Sequence, residues 1–488
     1  MSDTSGRNVL FVVMDTVRKD HLTPYGYDRP TTPGLETFAQ EARVYDQAVS
    51  PAPWTLPVHA SLFTGLYPSH HRATQEAPYL PDGVKTLAQS VSAAGYSTAC
   101  YSSNAWITPY TRLTAGFDDQ DNFFEVMPGD FLSGALADAW QKINDNPKLR
   151  GMANRLVELG NTVHEYLADG SGADSKTPEI IDRVQEFVAR EDEWFVFINL
   201  MDAHLPYVPP EEYRDEFAPG VNPSDICQNS KEYNSGARDI DDAEWEDIRG
   251  LYDAEIAHID AQLNRLFEWL KAEGEWEDTL VVVCADHGEL HGEHDLYGHE
   301  FCIYDPLVNV PLMVKHPDLA PGREPEQVEM LDLYHTVLDA TGADGLGEAF
   351  DPKRSLLSAD YREFADGEYA FVEYHQPVVE LKQLESKAKA AGITLPTDSR
   401  FYSRMRAARR LDGKYIRNER IDDEAYRLDT DPGETTPVSP EADEVVAAVR
   451  EALERFEADH GWSDGGGDGL DRMSGDAKRR LQDLGYME

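Results

Sequence analysis

Asn8-Val9-Leu10-Phe11-Val12-Val13-Met14-Asp15 is an unbroken apolar run that ends on a carboxylate. A strand with one face in water alternates apolar and polar residues. A run without alternation is buried on both faces, as in a parallel sheet covered by helices. Asp15 then stands at the carboxyl end of the strand, the edge where open α/β sheets bind ligands. Two later runs repeat the pattern. Trp194-Phe195-Val196-Phe197-Ile198-Asn199-Leu200-Met201 leads into Asp202-Ala203-His204, and Thr279-Leu280-Val281-Val282-Val283-Cys284-Ala285 leads into Asp286-His287-Gly288-Glu289. Helical periodicity covers 31–43, 84–94, 178–189, 248–272 and 331–341, and shorter strands fit 96–102 and 310–314. The alternation predicts an α/β fold, a mostly parallel central sheet between helices.

The second informative stretch is Pro53-Trp54-Thr55-Leu56-Pro57-Val58-His59-Ala60-Ser61-Leu62-Phe63-Thr64-Gly65. Pro57 suits a first helical turn, where its fixed φ fits and its missing N–H costs nothing. The free N–H groups of that turn and the helix dipole favour an anion. Thr55 is placed where a small oxyanion ester would sit, although Thr is also a common cap.

Taken singly, Asp15 reads as a helix cap, His204 as a strand-end histidine and Asp286-His287-Gly288 as a turn. Together, three strands deliver them to one sheet edge with a hydroxyl facing it. Two carboxylates, an imidazole and a hydroxyl suit a divalent cation. A metal lowers the pKa of a bound hydroxyl and neutralises an ester oxygen, so Asp15, His204 and Asp286-His287 with Thr55 predict a metal-ester site with Thr55 as nucleophile. His204 and His299 are placed to serve the leaving oxygen or the developing charge. Arg18 and His59, close in sequence to these residues, are candidates to clamp the anion. Glu293-His294-Asp295 reads either as part of a site or as a solvated loop.

The remainder is less informative. Residues 121–175 read as an insertion and 224–246 as an acidic surface loop. After Gly345, strands at 369–374, 403–411 and 413–418 predict a small antiparallel sheet, followed by a helix at 445–459. The predicted division is a catalytic α/β unit over 1–345, a C-terminal α+β subdomain over 346–460, and a Gly-rich linker with a tail helix over 461–488.

The 488-residue chain carries 91 Asp and Glu against 44 Lys and Arg, a net charge of −47. Such a surface excludes nucleic-acid binding through phosphates. With 41% hydrophobic residues the chain is not disordered. Acidity of this degree reads as adaptation to a halophilic cytosol. Cys100, Cys227, Cys284 and Cys302 are scattered and read as core thiols. The polar start carries no signal pattern, and no apolar run reaches the length of a transmembrane helix, so a cytoplasmic protein is expected.

At these residues the chain resembles the sulfatase family of the alkaline phosphatase superfamily, as a haloarchaeal-type member. The resemblance is carried by Asp15 and its strand, by 53–68, and by Met201-Asp202-Ala203-His204-Leu205-Pro206-Tyr207. It continues through Tyr252-Asp253-Ala254-Glu255-Ile256, Ala285-Asp286-His287-Gly288-Glu289, Asp295-Leu296-Tyr297-Gly298-His299 and Leu428-Asp429-Thr430-Asp431-Pro432-Gly433-Glu434. It implies a large α/β domain, a smaller C-terminal antiparallel sheet, and a cation, usually calcium or magnesium. Thr55-Leu56-Pro57-Val58-His59 stands where the family carries Cys/Ser-x-Pro-x-Arg. Thr oxidation would give a ketone, so formylglycine is not expected. The family's paired Asp is here Asp15-Thr16, and its leaving-group Lys is His299. A Thr nucleophile resembles the phosphodiesterase and phosphoglycerol-transferase-like members, which commonly hold manganese or zinc by an acid, Thr, Asp and His, a set that Asp15, Thr55, Asp286 and His287 match. Asp202, His204 and His299 would then suit a second metal, since residues two apart on a strand face the same way. The expected activity is metal-dependent hydrolysis of a sulfate or phosphate ester of a small molecule, glycan or lipid. The alternatives are a phosphodiesterase or phosphotransferase, and a non-catalytic binder of sulfated or phosphorylated ligands.

Overall fold

The computed structural model describes residues 7–123, 175–361, 363, 367–375 and 377–462. The strands in chain order are β1 Asn8–Met14, β2 Arg43–Val49, β3 Ser97–Ser102, β4 Asp119–Asn122, β5 Trp194–Leu200, β6 Thr279–Cys284, β7 Leu290–His291, β8 Tyr297–Gly298, β9 Asn309–Lys315, β10 Gly322–Glu329, β11 Ala370–Tyr374, β12 Met405–Arg410, β13 Gly413–Asn418 and β14 Glu424–Tyr426. Eight form one sheet in the order β10-β2-β9-β6-β1-β5-β3-β4, and β11-β12-β13-β14 form a second.

The three apolar runs are the middle of the large sheet. β1 pairs in parallel with β5 on one side and β6 on the other. All three are buried except at Asn8. Register decides what they deliver. Met14 lies beside Leu200 and Val13 beside Cys284, so the three strands finish level. Asp15, the turn after Leu200 and Asp286 therefore leave the sheet at one edge.

The sheet is mostly parallel, with β9 running antiparallel to both β2 and β6. β2 and β10 escape the apolar-run criterion. β10 is Gly-Arg-Glu-Pro-Glu-Gln-Val-Glu, and only its last three residues are buried, as suits an edge strand that must not recruit another. The helix expected over 31–43 is confined to Pro33–Phe38, because Arg43 already opens β2. The acidic loop expected over 224–246 instead contains the Ser230–Asn234 helix and the start of the Asp242–Glu273 helix. Ser230, Asn234 and Trp245 are buried there, so a polar composition conceals a packed segment. A further helix, Val378–Ala390, was not anticipated. Most of the insertion at 121–175 and most of the tail from 461 lie outside the described residues.

The small sheet is antiparallel throughout, and the Glu444–Asp459 helix packs on it through Val446, Val449, Leu453 and Phe456. It is tied to the large sheet. The Glu373 amide donates to Pro51 O (2.9 Å), and a buried ionic cluster joins Asp305 to Arg409 (2.8 Å) and Lys414 (2.9 Å). All four cysteines are buried and unpaired. Among the described residues no helix is long and apolar enough to cross a membrane.

Candidate active site

The Thr55–Thr64 helix is buried along its whole length. Its cap is Trp54, in extended conformation and without a side-chain capping bond, so the Thr55 hydroxyl is not consumed as a cap. Gly65 ends the helix at φ 68, and a Cβ there would lie 2.6 Å from the Tyr334 ring. The helix start faces the level ends of β1 and β6.

Four predicted residues converge there. Thr55 Oγ1 is 3.5 Å from His287 Nε2. His287 Nε2 lies 3.9 Å from Asp15 Oδ1 and 3.5 Å from Asp286 Oδ2. Asp15, Asp286 and His287 are buried, and one donor atom of each lies within 4.8 Å of the others. The supporting bonds leave those atoms free. Asp15 Oδ2 accepts from Asn104 (2.8 Å) and Asn199 (2.9 Å), while Asp15 Oδ1 has no partner. Asp286 Oδ1 accepts from the amides of Thr16 (3.3 Å) and His287 (2.9 Å), while Oδ2 has none. His287 Nδ1 donates to Gly288 O (3.0 Å), which leaves the Nε2 lone pair facing the carboxylates. Gly288 is required by close approach, since a Cβ there would meet Pro306 O at 2.0 Å.

This donor set fits a divalent cation. Two unpartnered buried carboxylate oxygens face an imidazole nitrogen whose one hydrogen-bond neighbour is the Thr55 hydroxyl, and a buried unpaired charge is costly. Burial, then the charge of Asp15, holds the Asp286 carboxyl well above its ordinary value. Burial would raise Asp15 as well, but His287, His204 and the Asn199 amide bring it below its usual range. Burial and the neighbouring His299 push His287 down to about 3, so it is neutral and ready to ligate.

His204 and His299 face a cleft of about 180 Å³ that also exposes Thr55, Asn104 and Glu289. Their rings are 5.3 Å apart, and His299 lies 4.6 Å from His287. Burial would depress His299, but Glu289, whose Oε1 is 3.1 Å from its Nδ1, and Glu300 raise it to about 9.

Other candidates stand elsewhere. Arg18 does not line the cleft. Its guanidinium donates to Asp20 (2.9 and 2.7 Å), Glu293 (2.6 Å) and Glu289 O (3.1 Å). His59 is fully buried behind Asp286, with Nδ1 donating to Thr55 O (2.9 Å). Asp202 turns away from His204 to Ser175 and Thr177, with His258 at 3.7 Å. β5 has ended by Leu200, so the two-residue alternation that aligned Asp202 with His204 does not apply. Thr16, at φ 59, donates its hydroxyl to Ala203 O (2.6 Å) and so adds no ligand beside Asp15. Within 293–295, Glu293 holds Arg18 and His294 stacks on Tyr304 at 3.7 Å.

Sequence reasoning missed Asn104, Asn199, Glu289 and Lys231. Asn104 Nδ2 reaches Asp15 Oδ2 (2.8 Å) and Thr55 Oγ1 (3.3 Å), linking ligand to hydroxyl. It follows β3 at the same sheet edge, so the strand-end rule that found Asp15 would have found it. Asn199 is masked by the apolar run around it.

The sequence profile of the family described as Sulfatase matches residues 7–343. The multifunctional alkaline phosphatase superfamily protein PehA of Trinickia caryophylli is 26% identical over 395 residues, covering 69% of this chain and 74% of that one. An arylsulfatase of Clostridium perfringens is 23% identical over 403 residues, covering 75% and 82%. Among solved structures, the phosphonate monoester hydrolase of Agrobacterium radiobacter superposes with a TM-score of 0.65 at 21% identity, over 93% of this chain and 96% of that one.

Proposed function

Because this chain belongs to the sulfatase family, whose members hydrolyse sulfate or phosphate esters, we propose that it is a metal-dependent ester hydrolase in which the Thr55 hydroxyl attacks directly. The observation that supports this best is the meeting of Thr55 Oγ1 and His287 Nε2, 3.5 Å apart, with the unpartnered carboxylate oxygens of Asp15 and Asp286. A divalent cation held by these three with Thr55 would lower the pKa of the hydroxyl and neutralise an ester oxygen. Asn104 orients the hydroxyl by bridging it to Asp15. Thr55 Oγ1 gives up its proton to solvent in the cleft and forms a bond to sulfur or phosphorus as the bond to the ester oxygen breaks, and His299 gives that oxygen its proton. Water then attacks the Thr55 adduct, one of its protons returning to His299, and the Thr55 oxygen leaves and regains a proton from solvent as the inorganic or monoester product is released. His204 lines the cleft beside His299, its ring oriented by Nδ1 donating to Leu205 O (2.6 Å). Arg18 braces the loop carrying Glu289 and Glu293, and His59 fixes the floor beneath Asp286. The second metal expected at Asp202, His204 and His299 is not part of this reading, because Asp202 faces away. A sulfate monoester and a phosphate diester carry the same single charge and the same tetrahedral shape. The relatives named for arylsulfatase and phosphonate monoester hydrolase activity fit a site that takes either.

The test is hydrolysis of p-nitrophenyl sulfate beside bis-p-nitrophenyl phosphate, with Mg²⁺, Ca²⁺, Mn²⁺ or Zn²⁺ after chelation. The expected result is release of nitrophenol from at least one ester, lost on chelation and restored by metal. Metal-independent release would contradict the proposal. Asn104→Leu is expected to lower kcat about 10- to 100-fold, the worth of one hydrogen bond to a charged or activated group. Metal content should persist, because Asn199 still holds Asp15. Atomic absorption beside steady-state kinetics checks both.

We also propose that the protein works in a salt-rich medium. With a net charge of −47, self-repulsion opposes compaction until counterions screen it. The midpoint of thermal unfolding is expected to rise by several degrees from low salt to molar KCl, followed by circular dichroism.

A further inference from the structure

The 428–434 stretch sends no residue to the cleft, yet it ends on a buried acid. Glu434 is 1% exposed and sits at φ 54, a backbone conformation that residues other than glycine adopt only where their surroundings hold them. Its carboxylate accepts from the Asp305 amide and binds the Lys414 ammonium (2.8 Å). The Asp305 carboxylate takes the same ammonium (2.9 Å) and the forked guanidinium of Arg409, with Nε at 3.1 Å and Nη2 at 2.8 Å. Arg409 is itself fixed, because Nη1 donates to Gln327 on β10 (2.6 Å) and Nη2 to Gln47 on β2 (2.6 Å). Asp305 opens the four-residue helix Asp305–Val308, and the turn that carries His287 rests on that helix. Gly288 N donates to Leu307 O (2.8 Å), and a Cβ on Gly288 would meet Pro306 O at 2.0 Å. Gly288 O in turn holds His287 Nδ1 (3.0 Å). Neither Asp305 nor its three ionic partners line the cleft.

Resting on the hydrolase reading for its metal, we propose that Asp305 is a positioning residue for His287. Held by Arg409, Lys414 and Glu434, it seats the helix on which Gly288 lies, and Gly288 O aims His287 Nε2 at Asp15 and Asp286. A buried ion cluster adds little net stability, since desolvation offsets its attraction. What it supplies is direction, because a forked guanidinium fixes angle as well as distance. The contact at Gly288 transmits that direction without slack. Movement of the turn toward the helix is blocked at Pro306 O, and movement away breaks the Gly288 N–H bond. The small sheet thereby braces a metal ligand through the Asp305–Val308 helix. Outer partners of this kind govern metal affinity by about 10- to 100-fold.

The experiment is titration calorimetry of the chelated full chain with Mn²⁺ and with Zn²⁺, beside nitrophenyl ester kinetics and urea unfolding. Arg409→Lys keeps the charge and loses the fork, and it is expected to raise the metal dissociation constant about threefold or more. Asp305→Asn combined with Lys414→Met removes one charge of each sign and should raise it about tenfold or more. KM for the ester at saturating metal should not move in either variant. The control is Arg354→Met, which breaks a second buried ion cluster where Arg354 binds Glu329 (2.7 Å) and Asp332 (2.7 Å), and Glu329 holds the Phe371 amide of β11 (3.1 Å). It should lower the urea midpoint and leave metal affinity within about twofold of wild type. The proposal is overturned if metal binds Arg409→Lys as tightly as wild type, or if Arg354→Met weakens binding as much as the double substitution does. Ester turnover with unchanged metal affinity in both Asp305-cluster variants would sink the positioning role alone. Weakened metal affinity in those variants, with no turnover in wild type, would sink the hydrolase reading alone.

Discussion

Thr55→Ala is expected to lower turnover by about 10³-fold or more, while the metal stays bound. The hydroxyl is the only atom lost that faces the reacting group, and its removal leaves Asp15, Asp286 and His287 with their supporting bonds intact. Folding should change little. Thr55 is the first residue of its helix, its hydroxyl does not cap it, and Trp54 and Gly65 still mark the ends. Thr55→Ser keeps the hydroxyl and should retain a large part of the activity. Metal analysis and kinetics on both variants separate a missing nucleophile from a damaged metal site. Equal activity in wild type and Thr55→Ala would remove Thr55 from the reaction.

The second large effect belongs to Asp286→Asn, and its sign differs between the loaded and the metal-free protein. Removing one anionic ligand is expected to weaken metal affinity by about 100-fold or more and to lower activity in parallel. In the metal-free protein the same change removes a carboxyl that burial and the charge of Asp15 make costly to ionise. Asn keeps an oxygen for the amides of Thr16 and His287, and it brings an N–H toward the unpartnered Asp15 Oδ1. The chelated variant should therefore be more stable than chelated wild type, by about 1–3 kcal/mol on the scale of relieving a buried unpaired charge. Urea unfolding with and without chelator reads both effects. A variant less stable than wild type in chelator would mean that Asp286 serves the fold and not a cation.

Much of the site was legible because its residues follow continuous apolar strands. Val9 to Met14, Trp194 to Leu200 and Thr279 to Cys284 need no partner to be recognised, and their parallel register carries Asp15 and Asp286-His287 to one edge. What failed to show in sequence depends on contacts from a distance. β10 is a polar edge strand, and its place follows from pairing with β2. Arg18 is close in sequence to Asp15, yet Glu293, far along the chain, turns it from the cleft. Asp202 is close to His204, yet the turn after Leu200 points it toward Thr177. Asn104 lies in a loop with no apolar signature, and only the closure of Asp15 against Thr55 gives it a role. Lys231 and Glu300 are ordinary charged residues until the Ser230–Asn234 helix brings them into one wall.

The central claim is that Thr55 itself carries the transferred group. The direct measurement is mass spectrometry of the Thr55 peptide, quenched in acid during turnover of whichever nitrophenyl ester is hydrolysed. The resting peptide should carry an unmodified threonine. The turnover peptide should gain one sulfo or phosphoryl group on Thr55, and only when metal is present. A Thr55 peptide that remains unmodified throughout rapid turnover, or an adduct on another residue, would contradict it.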